Sequence, residues 1–229
     1  MPPETPLLAF DTSAAHCAAA LLWRGQIIAS VREEMAKGQA ERLMTLLEEV
    51  LTGAGLTWRD LGGLAVGIGP GNFTGIRIAV SAARGLALGL GKPAFGVTQF
   101  EALAYGHPRP LIVAEDARRG SVYVQGFGAG PDAAALMTLE EARPFVQHLP
   151  VIGSAAGLLE APQVLAPLHP LADAIALVAA GRDGMQPRSA PFYLRAADAA
   201  PPSDPPPVIL DAVIQDPVIQ ATVIQDPGA

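Results

Sequence analysis

Residues Gly67 to Arg77 read Gly-Ile-Gly-Pro-Gly-Asn-Phe-Thr-Gly-Ile-Arg, between a short apolar run, Leu64-Ala65-Val66, and a long apolar stretch from Ile76 to Leu90. Four glycines at a strand-to-helix junction are entropically expensive, so they imply special backbone angles or close approach by another group. Backbone N–H groups gathered at a helix N-terminus make a ready anion site, favoured by the helix dipole. On this reading Gly69, Gly71, Asn72, Thr74 and Gly75 are candidate anion- or nucleotide-binding residues. Asp11, which closes the run Leu7–Phe10 and precedes Thr12 and Ser13, is the candidate to hold magnesium through water beside a phosphate. The loop lacks the Gly-Lys-Ser/Thr ending of a Walker loop and is not a dinucleotide fingerprint. A purely structural turn that seats the helix against the sheet accounts for the glycines equally well, and a cap or turn role accounts for Asp11.

Other chemistry is sparse. The histidines are His16, His107, His148 and His169, with no pair at metal-ligand spacing. Cys17 falls in an apolar run and reads as a core thiol. Ser13 precedes His16 without a nucleophile-elbow motif, so a triad is unsupported. Asp116 and Arg118 share a turn and read as a local ion pair.

The elements that must position these residues follow from periodicity. Leu7–Phe10, Cys17–Trp23 and Gln26–Val31 read as strands, the last two joined by an Arg24-Gly25 hairpin turn. In Glu41–Leu51 the residues Leu43, Leu46, Leu47, Val50 and Leu51 make one helical stripe, ended by Gly53 and Gly55. Leu64–Ile68 and Pro93–Val97 read as further strands, with helices over Ile76–Leu90 and about Phe100–Tyr105. The Ile76–Leu90 helix is apolar nearly all round and small on two faces, with Ala79, Ala83 and Ala87 on one and Ser81, Gly85 and Gly89 on the other, so it is expected to be covered on two sides. After a boundary at His107–Pro110 come strands Leu111–Ala114 and Ser121–Phe127, a helix capped by Thr138 with Glu141, a strand-turn-helix over Val151–Gly157, and a last helix, Leu171–Ala180. This divides the chain into a lobe over 1–106, a smaller lobe over 107–195, and a Pro-rich low-complexity extension over 196–229, read as flexible, in which Val-Ile-Gln-Asp-Pro occurs at 213 and again at 223. The fold class is α/β with mixed sheets flanked by helices.

Composition narrows the function. The 229 residues carry a formal charge of −7 and are 50% hydrophobic but only 5% aromatic. The core is therefore aliphatic, and an acidic chain is a poor nucleic-acid binder on its own. With one cysteine there is no internal disulfide, which fits a reducing cytoplasm. The start, Met-Pro-Pro-Glu-Thr-Pro, does not read as a signal peptide. Arg84 and the glycines interrupt Ile78–Leu90, so no membrane span is expected.

Three segments resemble the TsaB (YeaZ) family: Leu8–Ser13; Gly69–Arg77 followed by Ala83-Arg84-Gly85-Leu86-Ala87; and Asp116–Tyr123. Pro191–Arg195 resembles its C-terminal pattern, so the likeness spans about residues 7–195. It implies an actin-like (ASKHA, ribonuclease H-like) two-lobed fold and a non-catalytic role in making threonylcarbamoyladenosine in tRNA. The implied partners are the catalytic subunit TsaD and the ATPase TsaE, with tRNA met only through the complex and a homodimer as the alternative for the free chain. ATP or ADP with magnesium belongs to the complex; the competing reading is an ATP-binding, actin-like kinase-type enzyme. TsaD binds metal through His-x-x-x-His on its first helix, where this chain has Lys37-Gly38-Gln39-Ala40-Glu41-Arg42 and no histidine. Members pair through two helices of the first lobe. Carried onto this sequence, the pairing residues are Leu43, Leu46 and Leu47 of one helix and Ile76, Ala79, Val80, Ala83, Leu86 and Ala87 of the other.

Overall fold

The computed structural model describes residues 5–182 and 188–195. The first four residues and the extension from 196 lie outside the described residues, and with them the expectations placed there. Residues up to Arg195 belong to one compact unit.

The first sheet is built from β1 (Leu7–Asp11), β2 (His16–Trp23), β3 (Gln26–Glu34), β4 (Gly63–Gly67) and β5 (Ala94–Val97), in the order β3-β2-β1-β4-β5. The first three form an antiparallel meander, and β4 and β5 run parallel to β1. The β2–β3 turn places Arg24 and Gly25 at φ 51° and 80°, the left-handed pair of a tight hairpin. The second sheet has the order β10-β9-β6-β7-β8, from β6 (Leu111–Asp116), β7 (Ser121–Phe127), β8 (Ala135–Thr138), β9 (Val151–Ile152) and β10 (Val164–Leu165). Two mixed sheets flanked by helices are the α/β, two-sheet actin-like arrangement expected from the sequence.

Helix α1 (Gln39–Gly53) turns Leu43, Leu46, Leu47, Val50 and Leu51 inward, where they pack with Leu8, Phe10, Leu21 and Leu64 of the sheet. Burying each such side chain contributes roughly 1.5–3 kcal/mol. Helix α2 (Phe73–Leu90) shares this core through Ile76, Ala79, Val80 and Ala83. It begins three residues before the expected Ile76, because the Asn72 side chain caps it by accepting the Gly75 N–H at 3.0 Å. By length and composition α2 is long and apolar enough to cross a membrane, which the sequence reading did not anticipate. Its inner stripe belongs to the core of the sheet.

The opposite face of the sheet is covered by α3 (Gln99–Ala104) and α5 (Leu171–Ala180), with Leu7, Ala9, Leu22, Ala65 and Val97 meeting Ala174, Ile175 and Ala179. α5, which follows the boundary read at 106, packs on the first sheet. Residues 188–195 return there too, since Phe192 N–H donates to Ile68 O at 2.8 Å and Arg84 Nε donates to Ser189 O at 2.7 Å. α3 carries a capping box, Thr98 with Glu101. α4 (Leu139–Val146) carries the one expected from Thr138 and Glu141. No helix follows Gly153; the stretch to Glu160 is a succession of turns.

Candidate functional site

The glycine loop and the turn after β1 are fastened to each other. Thr12 Oγ1 donates to Gly75 O at 2.7 Å, and Asn72 N–H donates to Ser13 O at 2.6 Å. The chains approach so closely that a Cβ on Gly71 would stand 2.5 Å from Ser13 O, and one on Gly75 would overlap Thr12 O. A Cβ on Gly67 would overlap the Asp11 carboxylate. Gly71 and Gly75 are therefore required by packing between two backbone segments, and Gly67 by the Asp11 side chain. Gln99 N–H reaches the loop from α3 and donates to Gly69 O at 2.8 Å. Of the candidate anion-binding residues, the fold brings Asp11, Gly71, Asn72 and Gly75 together and leaves Thr74 exposed. The N–H groups of Asn72 and Gly75, which an anion would need, are already bonded within the chain.

Asp11 is 1% exposed. Its Oδ1 accepts from Ser13 N–H at 2.9 Å, from Ser13 Oγ at 2.8 Å, and from His16 Nε2 at 2.8 Å. With the carboxylate ionised, which only accepts, this contact needs a proton on His16 Nε2. His16 Nδ1 has no partner among the described residues. This Asp–His pair was not legible in the sequence. Ser13, Asp11 and His16 have the composition of a triad but not its connectivity: the serine and the imidazole both donate to the same carboxylate oxygen. The imidazole does not bond to the hydroxyl, so the serine lacks the histidine base that a triad supplies. Among the described residues no group of three or more His, Cys, Asp or Glu could hold a metal ion.

Beside this pair lies a cleft of about 510 Å³, lined by Ser13, His16, Arg32, Gln99, Leu168 and His169 among others. Gln99, which lines the cleft, donates through Nε2 to Glu115 of β6 at 3.0 Å, and Glu115 also accepts from Ser154 N–H and Oγ, each at 2.9 Å. Burial pushes its carboxyl above the usual range, against the pull of those donors. Asp116 and Arg118 make the expected local pair at 3.2 Å. Cys17 is buried, and burial, with Glu33 adding to it, pushes its thiol up to about 11, as befits a core cysteine.

The two helices present something different from what the sequence assigned. Leu43, Leu46, Leu47, Ile76, Ala79, Val80 and Ala83 are buried in the chain's own core. Leu86 and Ala87 are half-buried against it. An apolar stripe marks the side facing the sheet, and here the sheet already occupies it. The exposed residues of α2 are Phe73, Thr74, Arg77, Ser81, Arg84, Gly85, Leu88 and Gly89, with Leu88 84% exposed, and α1 adds Met44 at 43%. A Cβ built on Gly85 or Gly89 meets nothing within 4 Å. At the start of α1, Arg42 is held by Glu33 of β3 at 2.6 Å and by Glu49 at 2.5 Å. These bonds lower both glutamate carboxyls.

A family model described as TsaD, tRNA N6-adenosine threonylcarbamoyltransferase, matches residues 26–133. The tRNA threonylcarbamoyladenosine biosynthesis protein TsaB of Escherichia coli K12 is 36% identical over 122 residues, 51% of this chain and 52% of that protein. Its namesake in Bacillus subtilis 168 is 35% identical over 123 residues, 51% of this chain and 52% of the relative. The chain thus spans about half the length of the curated relatives it matches. The crystal structure of a Pseudomonas aeruginosa protein described as similar to peptidase YeaZ superposes with a TM-score of 0.68 at 30% identity, covering 83% of this chain and all of that one. YeaZ from the same organism gives 0.60 at 28% identity, covering 76% and 90%.

Proposed function

The chain belongs to the TsaB (YeaZ) family, and from that premise we propose that it serves tRNA threonylcarbamoyladenosine biosynthesis as a non-catalytic subunit that binds a TsaD-like transferase through the outer face of α2. The observation that carries this reading is the pair Gly85 and Gly89. Each glycine inside a helix is worse than alanine by roughly 0.8–1.0 kcal/mol. Among the described residues nothing needs either of them, because the space beside both is open. Together with Leu88, 84% exposed, they form a surface that lets another helix approach closely.

The chemistry near Asp11 supports a scaffold over an enzyme, since the histidine that would serve a triad's serine as base is bonded to the carboxylate instead. The TsaE-like ATPase, ATP or ADP with magnesium, and the tRNA then belong to the assembled complex, and self-pairing through the same face is the state of the chain without its partner. The test is capture of a TsaD-like subunit by wild type and by Gly85→Arg. Ala83→Arg is unsuitable, because Ala83 is fully buried and an arginine there breaks the core. We expect Gly85→Arg to fold and to lose capture; undiminished capture removes the α2 face from the interface.

A further inference from the structure

In a chain of charge −7, no Asp or Glu occurs from Leu61 to Phe100, a stretch that carries Arg77, Arg84 and Lys92. The returning segment 188–195 is laid against α2 and adds Arg188 and Arg195, again without a carboxylate. Where the two meet, three side chains stack in the open. The Phe73 and Tyr193 rings lie 4.9 Å apart at 29°. The Arg77 guanidinium carbon sits 3.8 Å over the Phe73 ring, and Arg77 Nε donates to the Tyr193 hydroxyl at 2.9 Å. Phe73 is 38% and Tyr193 41% exposed.

Exposed rings already ordered by a guanidinium lose little freedom when a third flat group joins them. Unpaired nucleobases are recognised by stacking on aromatic rings and arginine planes, with nearby cations meeting the phosphates. Two segments that bring arginines and no carboxylate of their own match that polyanion, whereas Gly85 and Gly89 further along α2 fit a helix. We propose that the Phe73–Arg77–Tyr193 cluster is a contact surface for single-stranded RNA, an unpaired base stacking on the rings while the phosphates meet the arginines around them. This rests on the reading of the chain as a tRNA-modification subunit, and it places a direct RNA contact on a subunit otherwise expected to meet tRNA only through its partners.

The test is fluorescence anisotropy of the full chain with a labelled oligouridylate and with an RNA duplex of equal length at low salt. The single strand is expected to bind more tightly than the duplex, with affinity falling as salt rises. Phe73→Ala is expected to weaken it about 5- to 100-fold, while Phe73→Trp and Tyr193→Phe, which keep the stacking surface, retain it. Thermal midpoints identify any variant that has lost its fold, and the Trp and Phe variants then carry the comparison. No binding by wild type, equal binding of the duplex, or wild-type affinity in Phe73→Ala overturns the proposal. Capture of the TsaD-like subunit is measured alongside. If Phe73→Ala binds RNA normally but loses capture, the cluster is a protein contact and the RNA proposal falls while the scaffold reading stands. If wild type captures no such subunit, the scaffold reading falls independently of the RNA result.

Discussion

Replacing Gly85 and Gly89 together by alanine is expected to move stability and partner binding in opposite directions. The added methyl groups enter open space on the surface of α2, so nothing among the described residues resists them. Alanine improves the helix by roughly 0.8–1.0 kcal/mol at each position, partly by restricting the unfolded chain, and the sum is about 2 kcal/mol. In a chain of this size about 1 kcal/mol raises the midpoint by roughly 2–4 °C, so the double variant should melt roughly 4–8 °C higher. The scan belongs at low protein concentration, because self-association through the same face would add its own stability. Against the partner the same methyl groups act as overpacking, worth roughly 1–3 kcal/mol, or about 5- to 150-fold in affinity. Calorimetric titration with the TsaD-like subunit reads the second effect. A variant less stable than wild type would show that the chain itself packs this face; a more stable variant with unchanged affinity would show that no partner does.

Three further outcomes are expected. Gly75→Ala should unfold the chain or lower its midpoint sharply, because the new Cβ overlaps the Thr12 carbonyl and neither backbone can move without breaking the Thr12–Gly75 bond; soluble yield and circular dichroism report it. Glu115 has a carboxyl raised by burial, so the folded state holds its proton to higher pH than the unfolded state, and stability is lost as pH rises from the ordinary carboxylate range through the folded value. Glu115→Gln should therefore gain on wild type across that window in denaturant titrations run from acid to neutral pH. Cys17, buried and pushed up to about 11, should react with a thiol reagent at neutral pH only as fast as the chain opens, and at once in denaturant.

Much of the fold could be read from the sequence because its elements are strongly periodic. The leucine stripe of α1, the hairpin at Arg24-Gly25 and the last helix over Leu171–Ala180 fall where pattern and turn chemistry put them. The misses have local causes. Gly75 read as loop, yet it lies in the first turn of α2, where the nearness of Thr12 requires a glycine. The strands β8 and β10 are short and lie at sheet edges, too brief for alternation to register. α5 follows the second sheet in sequence but closes the first, and local pattern carries no information about that choice. The Asp11–His16 pair was hidden because it joins a strand end to the start of the next across a turn. Most of the residues assigned to pairing lie in the chain's own core for a related reason: apolar periodicity shows which face of a helix is buried but not what buries it. The sheet takes Leu43, Leu46, Ile76 and Ala83, and Gly85, Leu88 and Gly89 are left outward.

The most direct test of the scaffold reading is the mass of the species formed when this chain is mixed with a TsaD-like subunit, measured by light scattering on a sizing column, for wild type and Gly85→Arg. The account predicts a stable assembly of the two different chains with wild type, and separate species with a folded Gly85→Arg. Separate species with wild type, or the same assembly with both, would contradict it.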